Sequence, residues 1–291
     1  MVYYSSQRRV WVKELVIEVV TGDWGKEKGE LREPRGIAIN QDSYDYHFYI
    51  VDKKNNRVQV FNSDMEYSFH FGSIPGAGKM MKPIGICVSM YHNRVYVTQF
   101  SFNAVYSYKL DGTFLRRVGD RGCDEGEFSE PYGVDVDEDC YVYVCDRLNH
   151  RIQVFSKRLN YRLEINHVDL AYPIDVKVRD DQLFVLDEGV NCVKIFTVEG
   201  EFVSQMISSA FGGRISDPYA FDIGQKGRIY ISDCKRDCIQ VFDRRGSYKY
   251  EIGRKGDGFG EFRYPTGVAI EDNELITACE RDEDQIQIVC L

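Results

Sequence analysis

The sequence predicts an all-β fold, a six-bladed β-propeller with four antiparallel strands per blade, and three observations predict it. A proline recurs at Pro34, Pro83, Pro131, Pro173, Pro218 and Pro265, and a short apolar strand follows it, as in PRGIAI, PIGICV, PYGVDV and PTGVAI. A β-rich run then ends in an acid or amide: YIVD, VYVTQ, VYVCD, LFVLD, IYISD and LITACE. Nine residues past that position a third strand ends, from Asp52 to Phe61, Gln99 to Tyr108, Asp146 to Phe155, Asp187 to Phe196, Asp233 to Phe242 and Glu280 to Val289. A repeat of about 45 residues built from four short strands has the length of one propeller blade. A single blade cannot bury both of its faces, so the six must close into a ring.

Each copy reads as strands a, b, c and d, with side chains alternating across the sheet. In HRIQVF of the third copy, Ile152 and Val154 share one face while Gln153 and Phe155 take the other. The fourth strands, FLRRV, YRLEI and YKYEI, are more polar, as an outermost strand in contact with water should be. Gly-rich connectors such as GDRGCDEGEFSEP and GRKGDGFGEFRYP lead from strand d to the next proline, with glycines suited to tight turns. No helix is predicted after them, which argues against a phosphate cradle. The acids that close strand b, Asp52, Asp146, Asp187 and Asp233, are expected to accept N–H bonds within the b–c turn.

The last copy stops at QIQIVCL, a strand c, and LVIEVVTGDWGKEKGELREP near the start repeats the strand-d-plus-connector pattern of YKYEIGRKGDGFGEFRYP. Leu15 to Val20 should therefore supply the outer strand of the sixth blade and remove an open sheet edge. On this reading residues 15–291 form the propeller, and residues 1–14 are a tail or the end of a linker.

Composition narrows the function classes. The chain has 291 residues, 43% hydrophobic, with 20 Tyr and 17 Phe that favour sheet over helix. A net charge of −9 excludes a uniformly basic nucleic-acid binder but not a local basic face. Most of the nine cysteines stand where the repeat wants a small apolar residue, including Cys87, Cys145, Cys279 and Cys290. Cys234 and Cys238 lack a second pair, so no zinc or other cofactor is expected. The absence of an apolar leader and of a membrane-length apolar run points to a cytoplasmic protein without membrane contact.

The repeats resemble the NHL family. The resemblance is carried by DKKNNRVQVF (Asp52 to Phe61) and DRLNHRIQVF (Asp146 to Phe155), by P-x-G at Pro34, Pro83, Pro131 and Pro265, and by G-E-F-x-x-P at Gly126 to Pro131 and Gly260 to Pro265. It covers about nine-tenths of the chain, with departures where Gln99 replaces the acid and Asp175 and Ala220 replace the glycine. Within that family the chain is similar to the C-terminal propeller of tripartite-motif ubiquitin ligases. The resemblance implies binding of partner proteins, single-stranded RNA or both, in a chain fused to or associated with ubiquitin-ligase domains. The paired-cysteine zinc spacing of a RING is not in this sequence, so ligase catalysis would lie elsewhere.

Family geometry puts the d–a connectors and b–c turns on one face of the disc. The candidate RNA- or partner-binding residues there are Arg35, Lys53, Lys54, Phe100, Phe102, Tyr132, Arg147, His150, Tyr219, Lys235 and Arg236. With Arg57, Arg151 and Arg281, bases on this rim outnumber the turn acids Glu188, Asp237, Asp282, Glu283 and Asp284. Aromatics interleaved with bases are what unpaired nucleotides stack on. A structural account stands beside this one: Arg57 and Arg151 occupy equivalent positions and can brace the turn, and Tyr132 and Tyr219 can pack against neighbouring connectors. The alternative function is a propeller lyase or hydrolase with a metal in the central channel. The five histidines fall in different repeat contexts, and Asp135, Lys177 and Asp222 share one level of strand a, where an ion network with Lys177 against either Asp is the simpler expectation.

Overall fold

The computed structural model describes residues 16–21, 24–42, 45–89, 91–207, 215–271 and 275–290. It is a ring of six four-stranded antiparallel sheets. Blade one is typical, with strands Pro34–Asp42, Asp45–Asp52, Arg57–Phe61 and Tyr67–Phe71 in spatial order. The inner strands of the other blades are Pro83–Ser89, Pro131–Val136, Pro173–Arg179, Pro218–Ile223 and Pro265–Ile270. Every inner strand thus begins on its proline, where the missing N–H costs no ladder bond.

The ring closes as the repeat pattern predicts. Val16–Thr21 pairs antiparallel with Gln285–Cys290, from Val16 opposite Cys290 to Thr21 opposite Ile286. The sixth sheet therefore takes its outer strand from one end of the chain and its other three strands from the opposite end. The predicted tail at residues 1–14 lies outside the described residues. Among the described residues no helix is long and apolar enough to cross a membrane.

Six hydrophobic clusters sit one at each blade interface. Val60 of blade one packs in the cluster that holds Ile86 of blade two, and Ile152 and Val154 of blade three pack in the cluster that holds Val176 of blade four. Phe155, on the opposite face of the same strand, packs with Val105 of blade two. Alternation along strand c therefore feeds two interfaces at once, and this is why no blade is stable alone.

The P-x-G motif has a steric cause. A Cβ on Gly85 would lie 2.3 Å from the Tyr132 carbonyl oxygen of the next blade, and one on Gly267 would lie 2.1 Å from that of Arg35. Inner strands crowd together at the axis, and the ladder skips register just there, between Pro83 and Ile86 and between Pro265 and Val268. Side chains then tie each blade to the next inner strand: Ser232 Oγ, on the second strand of blade five, donates to the Thr266 carbonyl at 2.6 Å, and Thr266 Oγ1 donates to the Pro34 carbonyl at 2.9 Å.

Two outcomes test this architecture. Deleting residues 1–21 should lower the melting temperature by several degrees, at about 2–4 °C per kcal/mol lost; an unchanged melting point would contradict closure through Val16–Thr21. Gly85→Ala should cost about 2 kcal/mol in denaturant titration, through overpacking against the Tyr132 backbone.

Candidate recognition face

The connector face is built on the residue that ends strand b. Asp52 is fully buried. It accepts the Arg32 N–H at 2.9 Å, Arg57 Nε at 2.7 Å and Gln59 Nε2 at 3.2 Å. Asp146 repeats the set with the Ser129 N–H at 2.7 Å, Arg151 Nε at 2.9 Å and Gln153 Nε2 at 3.1 Å. The backbone donors come chiefly from the incoming connector and not from the b–c turn, which corrects the expectation from turn chemistry. Asp187 and Asp233 do accept one turn N–H each, from Gly189 and Arg236, besides their connector bonds. Burial, working against these donors, leaves the Asp52 and Asp146 carboxyls above their usual pKa.

Strand c completes the brace. Gln59 Nε2 donates to the Glu30 carbonyl at 2.6 Å and its Oε1 accepts the Gly29 N–H at 3.0 Å; Gln153 does the same with Glu127 and Gly126. In blade four a fully buried Lys194 replaces the glutamine and meets Asp187 at 2.6 Å. The recurring glutamine was visible in RVQVF and RIQVF, but its role across the connector was not.

A second tie joins blades. The fourth residue after each strand-b terminus is left-handed, with φ of 54° at Asn56, 46° at Asn103, 57° at His150, 49° at Asn191, 51° at Asp237 and 54° at Asp284. Four of these side chains accept the N–H of the pre-proline residue of a neighbouring blade: Asn56 from Lys82, Asn103 from Glu130, Asp237 from Tyr264 and Asp284 from Glu33. His150 holds the same position, with its Nδ1 against the Ala171 carbonyl and its ring 5.2 Å from Tyr172.

Most of the candidate bases are already committed. Lys54 and Lys53 lie 2.6 and 3.6 Å from Glu33, and Arg147 lies 2.9 Å from Glu130 and 2.8 Å from Glu188. Arg236 turns to Glu251 at 2.9 Å, the place that Arg151 takes against Glu164 in blade three. It is a brace and not a free rim base. Glu130, in the acid-rich connector GDRGCDEGEFSE that opposes phosphate beside blade three, and Glu33, which was missed as a member of this face, stand immediately before their prolines and remove much of the basic excess read from the turns. Lys235 is exposed and makes no ion pair among the described residues.

The aromatics are also engaged. Tyr132 and Tyr219 meet edge to face at 5.6 Å across the mouth of the central channel. Arg35 lies 4.8 Å over the Tyr219 ring, and Arg147 lies 5.9 Å over Tyr132 and 5.3 Å over Tyr172. Phe102 packs on the core between blades one and two, while Phe100 is half-buried in the same one-turn 3-10 helix.

The channel trio is arranged differently from its expectation. Lys177 makes no ion pair among the described residues; Arg179 instead lies 3.9 Å from Asp135 and 3.6 Å from Asp222. Asp135 accepts the Val178 N–H at 2.8 Å, Asp175 that of Phe221 at 3.0 Å and Asp222 that of Ile270 at 2.9 Å. These carboxylates are clamps between successive inner strands, a role that spacing did not reveal. Burial opposes the charge on Lys177, but Asp222, Asp175 and Asp135 together hold its pKa above the ordinary value. Among the described residues no three His, Cys, Asp or Glu side chains converge as a metal site would require. On the opposite face a cleft of about 960 Å³, lined by Tyr91, Tyr141, Arg162 and Asp180 among others, opens beside blades three and four.

By fold and by this cross-braced face, the chain is a six-bladed propeller of the kind its repeats suggested. A family model described as a 6-bladed beta-propeller matches residues 217–287. The chain is 30% identical to "Protein brain tumor" of Drosophila melanogaster over 146 residues, 47% of this chain and 14% of that protein. It is 28% identical to "B-box type zinc finger protein ncl-1" of Caenorhabditis elegans over 45% of this chain and 16% of that protein. It is 26% identical to "E3 ubiquitin-protein ligase TRIM32" of Mus musculus over 47% of this chain and 23% of that protein. These are tripartite-motif NHL proteins, so the resemblance read from the repeats holds. The matched stretches span under a quarter of the length of each relative. Among solved structures, a streptogramin B lyase superposes with a TM-score of 0.68 at 14% identity, covering 94% of this chain and 97% of that one. A Xanthomonas campestris gluconolactonase gives 0.69 at 13% identity, covering 91% and 88%. At such identities these likenesses speak for the fold alone.

Asp175 gives the channel a pH signature. Burial is the main cause that pushes its carboxyl up to about 6, with Lys177 acting in the opposite direction. A carboxyl raised in the folded state contributes stability below its unfolded pKa and loses it as pH rises through the folded value. Wild type should therefore lose on the order of 3 kcal/mol relative to Asp175→Asn between about pH 4 and pH 6. Parallel melting curves across that window check it, and a constant difference would refute it.

Proposed function

We propose that the chain is a non-catalytic recognition module whose connector face binds a partner protein. The observation that carries this reading is the internal neutralisation of the rim. Lys53, Lys54, Arg57, Arg147, Arg151 and Arg236 are each paired with an acid of the same face or blade. A phosphate backbone would have to break these pairs and lie over Glu33, Glu130 and Glu188. Exposed apolar and aromatic side chains adjoin the same turns: Leu148 and Tyr172 are each 39% exposed and Val190 is 51% exposed. Such surface suits the apolar core of a protein interface. Likeness to tripartite-motif NHL proteins supports a role as the recognition part of a ubiquitin-ligase assembly, in one chain or in a complex. The free cysteines, most of them buried, suit a reducing cytoplasm.

Single-stranded RNA is the competing ligand, because Lys235 is exposed and makes no ion pair among the described residues, and His150 and Tyr172 form an exposed aromatic pair. Pull-down with and without ribonuclease, together with titration of short RNA pools at two salt concentrations, separates the two. Protein recognition predicts complexes that survive ribonuclease and RNA binding no tighter than micromolar. Tight RNA binding whose log-affinity against log-salt slope falls by about 0.7 in Lys235→Ala would overturn it.

A further inference from the structure

The mouth of the channel on the connector face holds a base with too few partners. Arg35 is only 6% exposed, yet its Nε has no hydrogen-bond partner and its contact with Glu33 is long, at 3.9 Å. Glu33 is shared with Lys53 at 3.6 Å and sits closest to Lys54 at 2.6 Å, so Arg35 is its most weakly held cation. Beneath Arg35 the buried Tyr219 ring faces the guanidinium, and its hydroxyl is turned to that of Tyr132. A buried guanidinium left this way costs free energy that an acceptor would recover. Positive charge also accumulates here. The Lys53 ammonium is drawn below its ordinary pKa, by burial first and then by the fields of Arg35 and Arg281, even with Glu33 beside it.

We propose that this mouth is a carboxylate-binding site, in which Arg35, flanked by Lys53 and Arg281, takes an acidic side chain or the chain terminus of a partner protein. The inference rests on the protein-recognition reading above. Below the mouth the channel narrows to a space of about 30 Å³ lined by Tyr132, Tyr219, Asp175 and Lys177, so a ligand group is held at the rim by Arg35 and not within the channel. A planar carboxylate matches the guanidinium fork and enters singly. A nucleic-acid strand would bring further phosphates over Glu33, Asp282 and Glu283.

A synthetic pool of random peptides, half with free and half with amidated C-termini, is selected on the immobilised full chain, and the affinities of the winners are measured by fluorescence anisotropy. Winners should share an acidic position or require the free terminus; the first marks a side chain and the second a terminal carboxylate. Arg35→Met should weaken them about tenfold or more. Glu33→Gln, which removes the internal competitor, should tighten them, and this arm stands even where Arg35→Met melts early. Acid-free winners indifferent to both changes but weakened by Tyr172→Ala would overturn the carboxylate site and leave the recognition face standing. A pool yielding no peptide sensitive to any change on this face would overturn both readings. A single-stranded oligouridylate that displaces acidic winners and weakens tenfold in Arg35→Met would assign the mouth to phosphate and overturn the proposal.

Discussion

At the end of every second strand a carboxylate or carboxamide is buried where three segments meet: the incoming connector, the b–c turn and strand c. Asp52, Asp146, Asp187, Asp233 and Glu280 fill this place with a carboxylate, and Gln99 fills it with an amide that accepts the Met81 N–H at 2.9 Å. The connectors are long and rich in glycine, so without this acceptor their N–H groups would have only water to bond. Removing Asp52 would also leave the buried guanidinium of Arg57 without a carboxylate, a loss of roughly 3–5 kcal/mol for a broken buried pair. The position of every residue on the connector face, and hence any recognition by it, depends on this contact.

The same economy of polar groups governs the axis and the rim. Around the channel, Asp135, Asp175 and Asp222 spend their oxygens on backbone N–H groups of the next inner strand, which binds blade to blade. On the rim, acids placed just before the prolines neutralise bases placed just after strand b. Because these pairs lie at least partly out of water, they are stiffer than ordinary surface salt bridges, and a ligand has to compete with them. The mouth at Arg35 stands out against that pattern, for it is the one described rim base whose buried Nε lacks a partner while its own acid is held more closely by a lysine.

Much of this was legible in the chain. Repetition disclosed the blade length, and the unmatched strand c at the end, set against an unmatched strand d at the start, disclosed the closure. Alternation in RIQVF assigned Ile152 and Phe155 to different interfaces correctly. The brace by Arg57 and Arg151 followed from their equivalent positions. Less could be read of the candidate site. Arg236 looks like a rim base in the linear sequence, yet it reaches back to Glu251 because Cys238 stands where blades one and three have their arginine. Glu33 escaped notice because a pre-proline residue has no evident partner until the ring brings the turn beside it.

The sequence by itself determined the number of blades, the strand order and the closing pair, because these depend on local periodicity and on the count of repeats, both of which are written along one dimension. Only the tertiary structure decided which charges on the connector face are free and which are spent. Pairs such as Arg147 with Glu188 or Thr266 with Pro34 join residues that are remote in the chain and adjacent only once the ring is closed. Charge counted along a sequence says what is available to a surface; what remains for a partner depends on distances of a few ångströms that closure of the ring sets.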